Sequence, residues 1–507
     1  MDNLLNLESL CFTRCFMDST EECGFNGEYI LPEYCADVAA VLKCVAEPRL
    51  QNRQFSGDKL LLDGVVNVRA VYVDEDRCRL HSVEFSVPYS CTLHGIGGGE
   101  SSSAFFDISP KYVNCRVTGP RRLEVFGAIQ INASSFENEN ATIAVPTGQE
   151  GFHTRQSPVE LSQLIGSAEK VVTISEALEF PDSLPASERL LGGTCTVLAK
   201  EWKLLNGKVI VRGVLQIHQL YTDDYEKGSI HSLDFEVPYS QIVDVPGVQE
   251  GHLCCGDVHV LTDTEYCSVG PDGGNTLLEV TVKLMLQVHV YENKQVEMLT
   301  EAYHTQYPIE QDVKEMELRT YCGCSNESTV LPMVLDITEA PLQEIVDVWV
   351  SPQSQTVKVE NQVAILGGTM AITVLGREKD GNLVCLEKTE EYRMEFPVLG
   401  NEARAHLCVQ GLHYRAVDGK MEVQVSLCVR LWQYQVTQMS VVQGVCLKED
   451  QPYPKTRAGA LLYYAQPGES LWEIGKSCHT SPELIRQEND SVSEVVTSPC
   501  VLMVPIV

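Results

Sequence analysis

The chain has 507 residues, of which 44% are hydrophobic, enough for about three to five domains with ordinary cores. Its 38 basic residues stand against 70 acidic ones, a formal net charge of −32. Such a surface repels phosphate backbones and anionic lipid headgroups, which argues against nucleic acid and membranes as partners.

The first residues, MDNLLNLESL, lack a basic leader, and Asp2 and Glu8 interrupt their apolar run. No signal peptide and no membrane insertion are expected, and the compartment implied is the cytoplasm. Twenty cysteines are scattered along the chain, with close spacings at Cys11/Cys15, Cys254/Cys255 and Cys322/Cys324. None has the spacing of a zinc site, so reduced structural thiols are expected, with no metal and no cofactor.

Internal repetition sets the architecture. Residues 60–90 read LLLDGVVNVRAVYVDEDRCRLHSVEFSVPYS, and residues 209–240 read VIVRGVLQIHQLYTDDYEKGSIHSLDFEVPYS. Gly64 matches Gly213, Tyr72 matches Tyr221, His81-Ser82 matches His231-Ser232, and Val87–Ser90 matches Val237–Ser240. A weaker third copy aligns Gly368–Gly376 with Gly64–Tyr72, and Met394–Pro397 with Phe85–Pro88.

Each copy opens with a lead segment (31–44, 184–191 and 340–350) whose mixed apolar and polar residues fit a short helix or an extended lead-in. Period-2 strands follow at 65–73 and 214–222, then a charged turn (Asp74–Asp76, Asp223-Asp224, Lys379–Gly381) and a second strand. The back half of each copy reads as a hairpin. The turns are Gly119-Pro120 between 112–119 and 122–135, Gly273-Gly274 in the second copy, and Asp418-Gly419 in the third. Linkers are expected at 145–160, 321–330 and 449–459, and a flexible loop at 95–103. Each copy is therefore expected to be a small antiparallel β-sandwich or open barrel.

The LPEY lead-in at 31–34, the strand pattern running from Gly64 to Tyr72 and the VPYS turn resemble the SPOCS domain (the DUF3794 family) of SipL-type spore-coat morphogenetic proteins. The resemblance covers about residues 25–447, with copies at 25–146, 170–310 and 335–447. It implies a mainly β protein that assembles with spore-coat morphogenetic proteins at the forespore surface, on the mother-cell side. By family expectation its partner is the coat's basement-layer ATPase.

Residues 461–507 form a separate βααβ unit. Tyr463–Ala465 is a short strand, and Pro467-Gly468 a turn. Ser470-x-x-Glu473 is a capping box, with Leu471, Ile474 and Cys478 on one helical face. Ser481 caps a second helix with Pro482 at its first position, and Asn489 ends it where asparagine tolerates a left-handed conformation. The "PGESLWEI" opening, Asn489 and the terminal Val504-Pro505 resemble a LysM module.

That resemblance implies binding of GlcNAc-containing glycan, such as peptidoglycan, by the loops holding Gly468, Glu469, Ser470, Leu471, Asn489 and Asp490. This sequence departs from the family at Gly475, where alanine is usual, and at Ser498–Cys500, where a glycine is usual. The module carries six acids against Lys476 and Arg486, which favours a protein partner over sugar.

No nucleophile elbow, P-loop, zinc-protease or dinucleotide-binding motif occurs, and Gly97–Gly99 lacks the lysine that a P-loop requires. His81 and His231 recur without a recurring nucleophile and read as structural, as do Tyr72, Tyr221, Trp202 and Trp432. The Asp74–Asp76 turn reads as solvated, and Trp472 as partly packed. The chain is therefore expected to have no catalytic residues.

Overall fold

Each of the three repeats builds the same six strands. The computed structural model describes residues 4–56, 59–94, 103–271, 273–338, 342–417, 419–454, 459–489 and 492–506. The first copy comprises β1 (Leu5–Ile30), β2 (Ala40–Ser56), β3 (Lys59–Val73), β4 (Leu80–His94), β5 (Ser103–Gly119) and β6 (Arg122–Pro146). The second comprises β7 (Phe152–Glu179), β8 (Arg189–Leu205), β9 (Lys208–Thr222), β10 (His231–Asp244), β11 (Leu253–Ser268) and β12 (Leu277–His304). The third comprises β13 (Ile309–Asp336), β14 (Leu342–Glu360), β15 (Val363–Glu378), β16 (Leu383–Pro397), β17 (Glu402–Val417) and β18 (Lys420–Leu447).

In every copy the second to fourth strands form an antiparallel meander. The first, sixth and fifth strands form a second sheet, with the sixth in the middle. The alternation along the strands turns one face of each sheet inward. Val209, Val211, Leu215, Ile217, Leu278, Val280 and Val282 thus make one core in the second copy. The fold is mainly β, as the period-2 segments indicated.

The recurring glycine has a steric cause. Gly64 lies opposite Tyr89, Gly213 opposite Tyr239 and Gly368 opposite Tyr392. A Cβ at these positions would lie 2.6, 2.5 and 2.8 Å from the three phenolic oxygens. This register also corrects the alignment of the third copy. Pro397 pairs with Val363 at the strand's far end, and Glu390–Tyr392 is the counterpart of Val87–Tyr89. The third copy keeps the glycine–tyrosine pair and loses the Val-Pro before it.

One open alternative is decided and two further expectations are corrected. Of the two readings of the lead segments, the extended one holds among the described residues: 31–39 and 184–188 are turns and irregular chain that run into β2 and β8. Residues 321–330 are not a linker but the middle of β13, and residues 152–160 begin β7. The copy starts expected at 25, 170 and 335 fall inside β1, β7 and β13. Asp418 and most of the 95–103 loop lie outside the described residues.

The first and sixth strands outrun their sandwiches. Their far halves continue as two-stranded ribbons, and the three ribbons pack on one another. Phe12 and Ile143 meet Val159, Leu161 and Met298, together with Leu318 and Val441. Where sandwich gives way to ribbon, Phe136, Tyr291 and Tyr434 occupy matching places, each opposite or beside the register shift of its partner strand.

The meanders close a second ring. Val71, Leu220 and Leu375, the residues just before Tyr72, Tyr221 and Gly376, are buried in one cluster drawn from all three copies. Around it, matching positions join each copy to the next. Arg69 donates to the Gly193 carbonyl. His218 Nε2 lies 3.0 Å from Asp347 Oδ2, and Lys43 Nζ donates to Thr373 Oγ1 at 2.6 Å. The chain is thus a closed pseudo-threefold ring, with contacts running from first copy to second, second to third and third back to first.

His218 also meets Asp234, at 2.7 Å. Burial alone would lower its pKa, but hydrogen bonds to Asp234 and Asp347 overcome this and push it up to about 10. A pKa raised by folding stabilises fully below the unfolded value and fades as pH rises toward the folded one. His218→Ala should therefore cost about 2 kcal/mol in denaturant unfolding at pH 6. The gap between wild type and variant should shrink steadily from about pH 6.5 and close above pH 10.

Candidate functional site

The C-terminal module comprises β19 (Ala460–Ala465), α1 (Leu471–Cys478), α2 (Pro482–Glu488) and β20 (Cys500–Pro505), with β19 and β20 paired antiparallel. Its local signals act as the sequence indicated. Ser470 Oγ accepts from Glu473 N, and Glu473 returns the bond to Ser470 N at 3.0 Å, closing the capping box. These bonds hold the Glu473 carboxyl below its usual range. Ser481 Oγ accepts from Glu483 N and Leu484 N at the start of α2.

One detail differs from the sequence reading. Asn489 is extended (φ −130°), and it is His479, after α1, that takes the left-handed conformation (φ 55°). Asn489 terminates α2 with its side chain instead. Its Nδ2 donates to the carbonyls of Ile485 and Met503, and its Oδ1 accepts from Met503 N.

The loop residues are placed as follows. Gly468 turns at φ 95°, and its N–H donates to the Val496 carbonyl. Val496 N donates back to Glu469 O, and Leu471 N to Glu494 O, so the two loops are zipped by backbone. The Glu469 carboxylate accepts from Tyr463 Oη at 3.1 Å and from Gln466 N at 2.8 Å. Leu471 is fully buried in the module core with Ile474, Ile485 and Leu502. Asp490 lies outside the described residues. The structure thus brings Gly468–Leu471 against 494–496, while Asn489 is committed to β20.

Two faces of the module are distinct. The helix face lies on the ribbon of the second copy. Trp472 Nε1 donates to Glu301 Oε2 at 2.6 Å, Lys476 pairs with Glu301 at 3.4 Å, and Tyr303 Oη donates to the Thr480 carbonyl at 2.6 Å. The Tyr303 and Trp472 rings meet edge-on at 4.9 Å, and Tyr453 stacks on His479 at 3.6 Å. Gly475, the departure noted in the sequence, sits under Tyr303, whose hydroxyl would lie 2.8 Å from a Cβ there. The departure was the one sequence signal of this docking; Glu301 and Tyr303 carried none.

The sheet face points outward and is apolar. Leu462 pairs with Met503, and Tyr464 with Val501. Their exposures are 63%, 43%, 71% and 52% respectively. Neither β19 nor β20 carries a charged residue.

A second feature lies between the three sandwiches, where a cavity of about 770 Å³ is lined by all of them. Asp107, Asp257 and His406 occupy matching positions on the fifth strands of their copies. Arg430 pairs with Asp257 at 3.0 Å, and His406 Nδ1 lies 3.6 Å from Asp107 Oδ2. Burial would raise the Asp107 carboxyl, but His406 prevails and lowers it. Sequence reading missed this grouping because its members lie in different copies.

The recurring histidines occupy the structural places expected of them. His81 Nε2 lies 3.1 Å from Asp74, and His231 Nε2 lies 2.9 Å from Asp223, in the turn just before each strand. Tyr72 and Tyr221 are buried, donating to the carbonyls of Ala36 and Pro185.

The repeat geometry agrees with a comparison against known families, in which the family model described as "SipL, SPOCS domain" matches residues 37–118 and 188–269. The first and second copies each carry a segment that matches the SPOCS domain. Each match runs from the lead segment through the fifth strand of its copy, and the match marks the chain as sporulation-related. The third copy has the same strand order with a divergent sequence. No curated protein and no solved structure matches the chain. Among the described residues, no helix is long and apolar enough to cross a membrane.

If the helix face holds the module in place, Tyr303→Ala should release it. Limited proteolysis between residues 447 and 460 should speed up at least tenfold, with the SPOCS sandwiches still resistant. Tyr303→Phe, losing one hydrogen bond of about 1 kcal/mol, should fall between the two.

Proposed function

We propose that this chain is a non-enzymatic scaffold of spore-coat morphogenesis, in which the SPOCS ring is a rigid body and the C-terminal module docks a coat morphogenetic protein. The observation that carries this reading is the outward sheet face of Leu462, Tyr464, Val501 and Met503, four large side chains in two directly facing pairs. Exposed apolar clusters of this kind mark protein contacts.

The state of the loop residues supports a protein partner over a glycan. Sugar recognition rests on side-chain hydrogen bonds at the site. Here Glu469, Ser470 and Asn489 already spend theirs within the module, and Leu471 is in its core. The acidic surface disfavours a polyanionic wall polymer further.

The test is a pull-down from sporulating cells with the full chain, with a truncation lacking 460–507, and with a Leu462→Asp/Tyr464→Asp double variant. Recovery of coat proteins should fall at least tenfold with both altered chains. Equal recovery from all three would reject docking through this face. Retention of the full chain on insoluble peptidoglycan, lost in Asn489→Ala, would establish the glycan reading in its place.

A further inference from the structure

The axial cavity holds a thiol pair. Cys408 on β17 lies directly opposite Cys428 on β18, and both thiols line the cavity. Directly opposed residues of an antiparallel pair have Cα atoms about 4.5–5.5 Å apart. That lies within the range of about 4.4–6.8 Å that a disulfide accepts. The pair occurs in one copy only: the matching pairs are Ser109 with Gln130 in the first and His259 with Met285 in the second. Both cysteines are present together, or neither is.

The surroundings distinguish the two thiols. His406 lies on the same face of β17 as Cys408, two residues before it, and lines the same cavity. Its other partner is Asp107, contributed by the first copy. Attraction to Cys408 and then to Asp107 keeps His406 protonated well above its usual range, despite burial. Burial raises the Cys428 thiol. His259 stacks on Phe106 beside Asp107, and Arg430 is tied to Asp257. His406, two residues from Cys408 on the same face, gives that member of the facing pair a proton-carrying neighbour on its own strand.

We propose that Cys408 and Cys428 form a thiol–disulfide exchange site, with low-molecular-weight disulfides entering the axial cavity as oxidant. The Cys408 thiolate attacks one sulfur of the reagent and breaks its S–S bond. The first leaving thiolate takes the proton carried by His406. Cys428 then loses its proton to solvent and attacks Cys408 Sγ, expelling the second thiolate. Two protein thiols are oxidised to one disulfide, and one reagent disulfide is reduced to two thiols. Asp107 is a positioning residue that acts through His406.

The experiment treats the full chain with hydroxyethyl disulfide, blocks residual thiols under denaturing conditions and maps peptides by mass. Exposed Cys446 is the internal reference. The expected product links Cys408 to Cys428 and forms at least tenfold faster than the mixed disulfide on Cys446. Cys428→Ser should trap the hydroxyethyl adduct on Cys408. Asp107→Asn, near-isosteric, should slow the reaction about tenfold at pH 7 and move its rate profile to higher pH, leaving the Cys446 rate unchanged. A Cys408 that reacts no faster than Cys446, a linkage to a different cysteine, or an unchanged pH profile in Asp107→Asn would each overturn the proposal.

Discussion

The sixth strand of each repeat is longer than the sandwich it completes, and the rest of the architecture answers that excess. β6, β12 and β18 run for 25, 28 and 28 residues, against 15 to 17 in most of the strands that face them. The surplus, paired only with the first strand, is a two-stranded ribbon, which is marginal in water on its own. Its inner face carries Ile143, Met298 and Val441, and these have only the other ribbons to lie against. Three such ribbons satisfy one another, and the chain closes into a ring because each copy brings the same surplus.

That constraint explains what the sequence disclosed and what it hid. The meanders and hairpins were legible because their strands pair with neighbours across short turns, and the alternation of buried and exposed residues survives in each. The first strands were not. Val330 pairs with Ser426 and Leu10 with Ala141, so their partners lie far along the chain. Their composition, as in YCGCSNESTV at 321–330, imitates a linker because Tyr321 alone of these ten residues is buried, the rest being half-buried or exposed. The module was legible to the level of its caps, since a capping box is a local device. The face it turns to the ring was not legible, since Glu301 and Tyr303 are ordinary ribbon residues until α1 lies on them.

Pseudo-symmetry lets one geometry carry three chemistries. Arg69, His218 and Thr373 stand at the same place and face the same place on the next copy, yet they make a charge-assisted bond to a carbonyl, an ion pair and a hydroxyl contact to lysine. A single chain can vary these joints independently, which a homotrimer of identical domains cannot. The module uses that freedom. It docks only where the second ribbon supplies Glu301 and Tyr303, and a glycine in its own helix makes room for the tyrosine.

Fixing the module to the ring changes what a partner meets. A module on a free tether would present all its faces in all orientations, and a bound partner would be positioned only within the linker's reach. Here the helix face is occupied by the ring, so the remaining apolar surface, the sheet of Leu462, Tyr464, Val501 and Met503, points in one direction relative to the three sandwiches. A partner bound there is oriented against the whole ring at little further entropic cost, because the ordering is already built into the free protein. Rigid docking of the small module thus follows from the same surplus of strand that closes the ring, since the end of β12 is both the ribbon's tip and the module's seat.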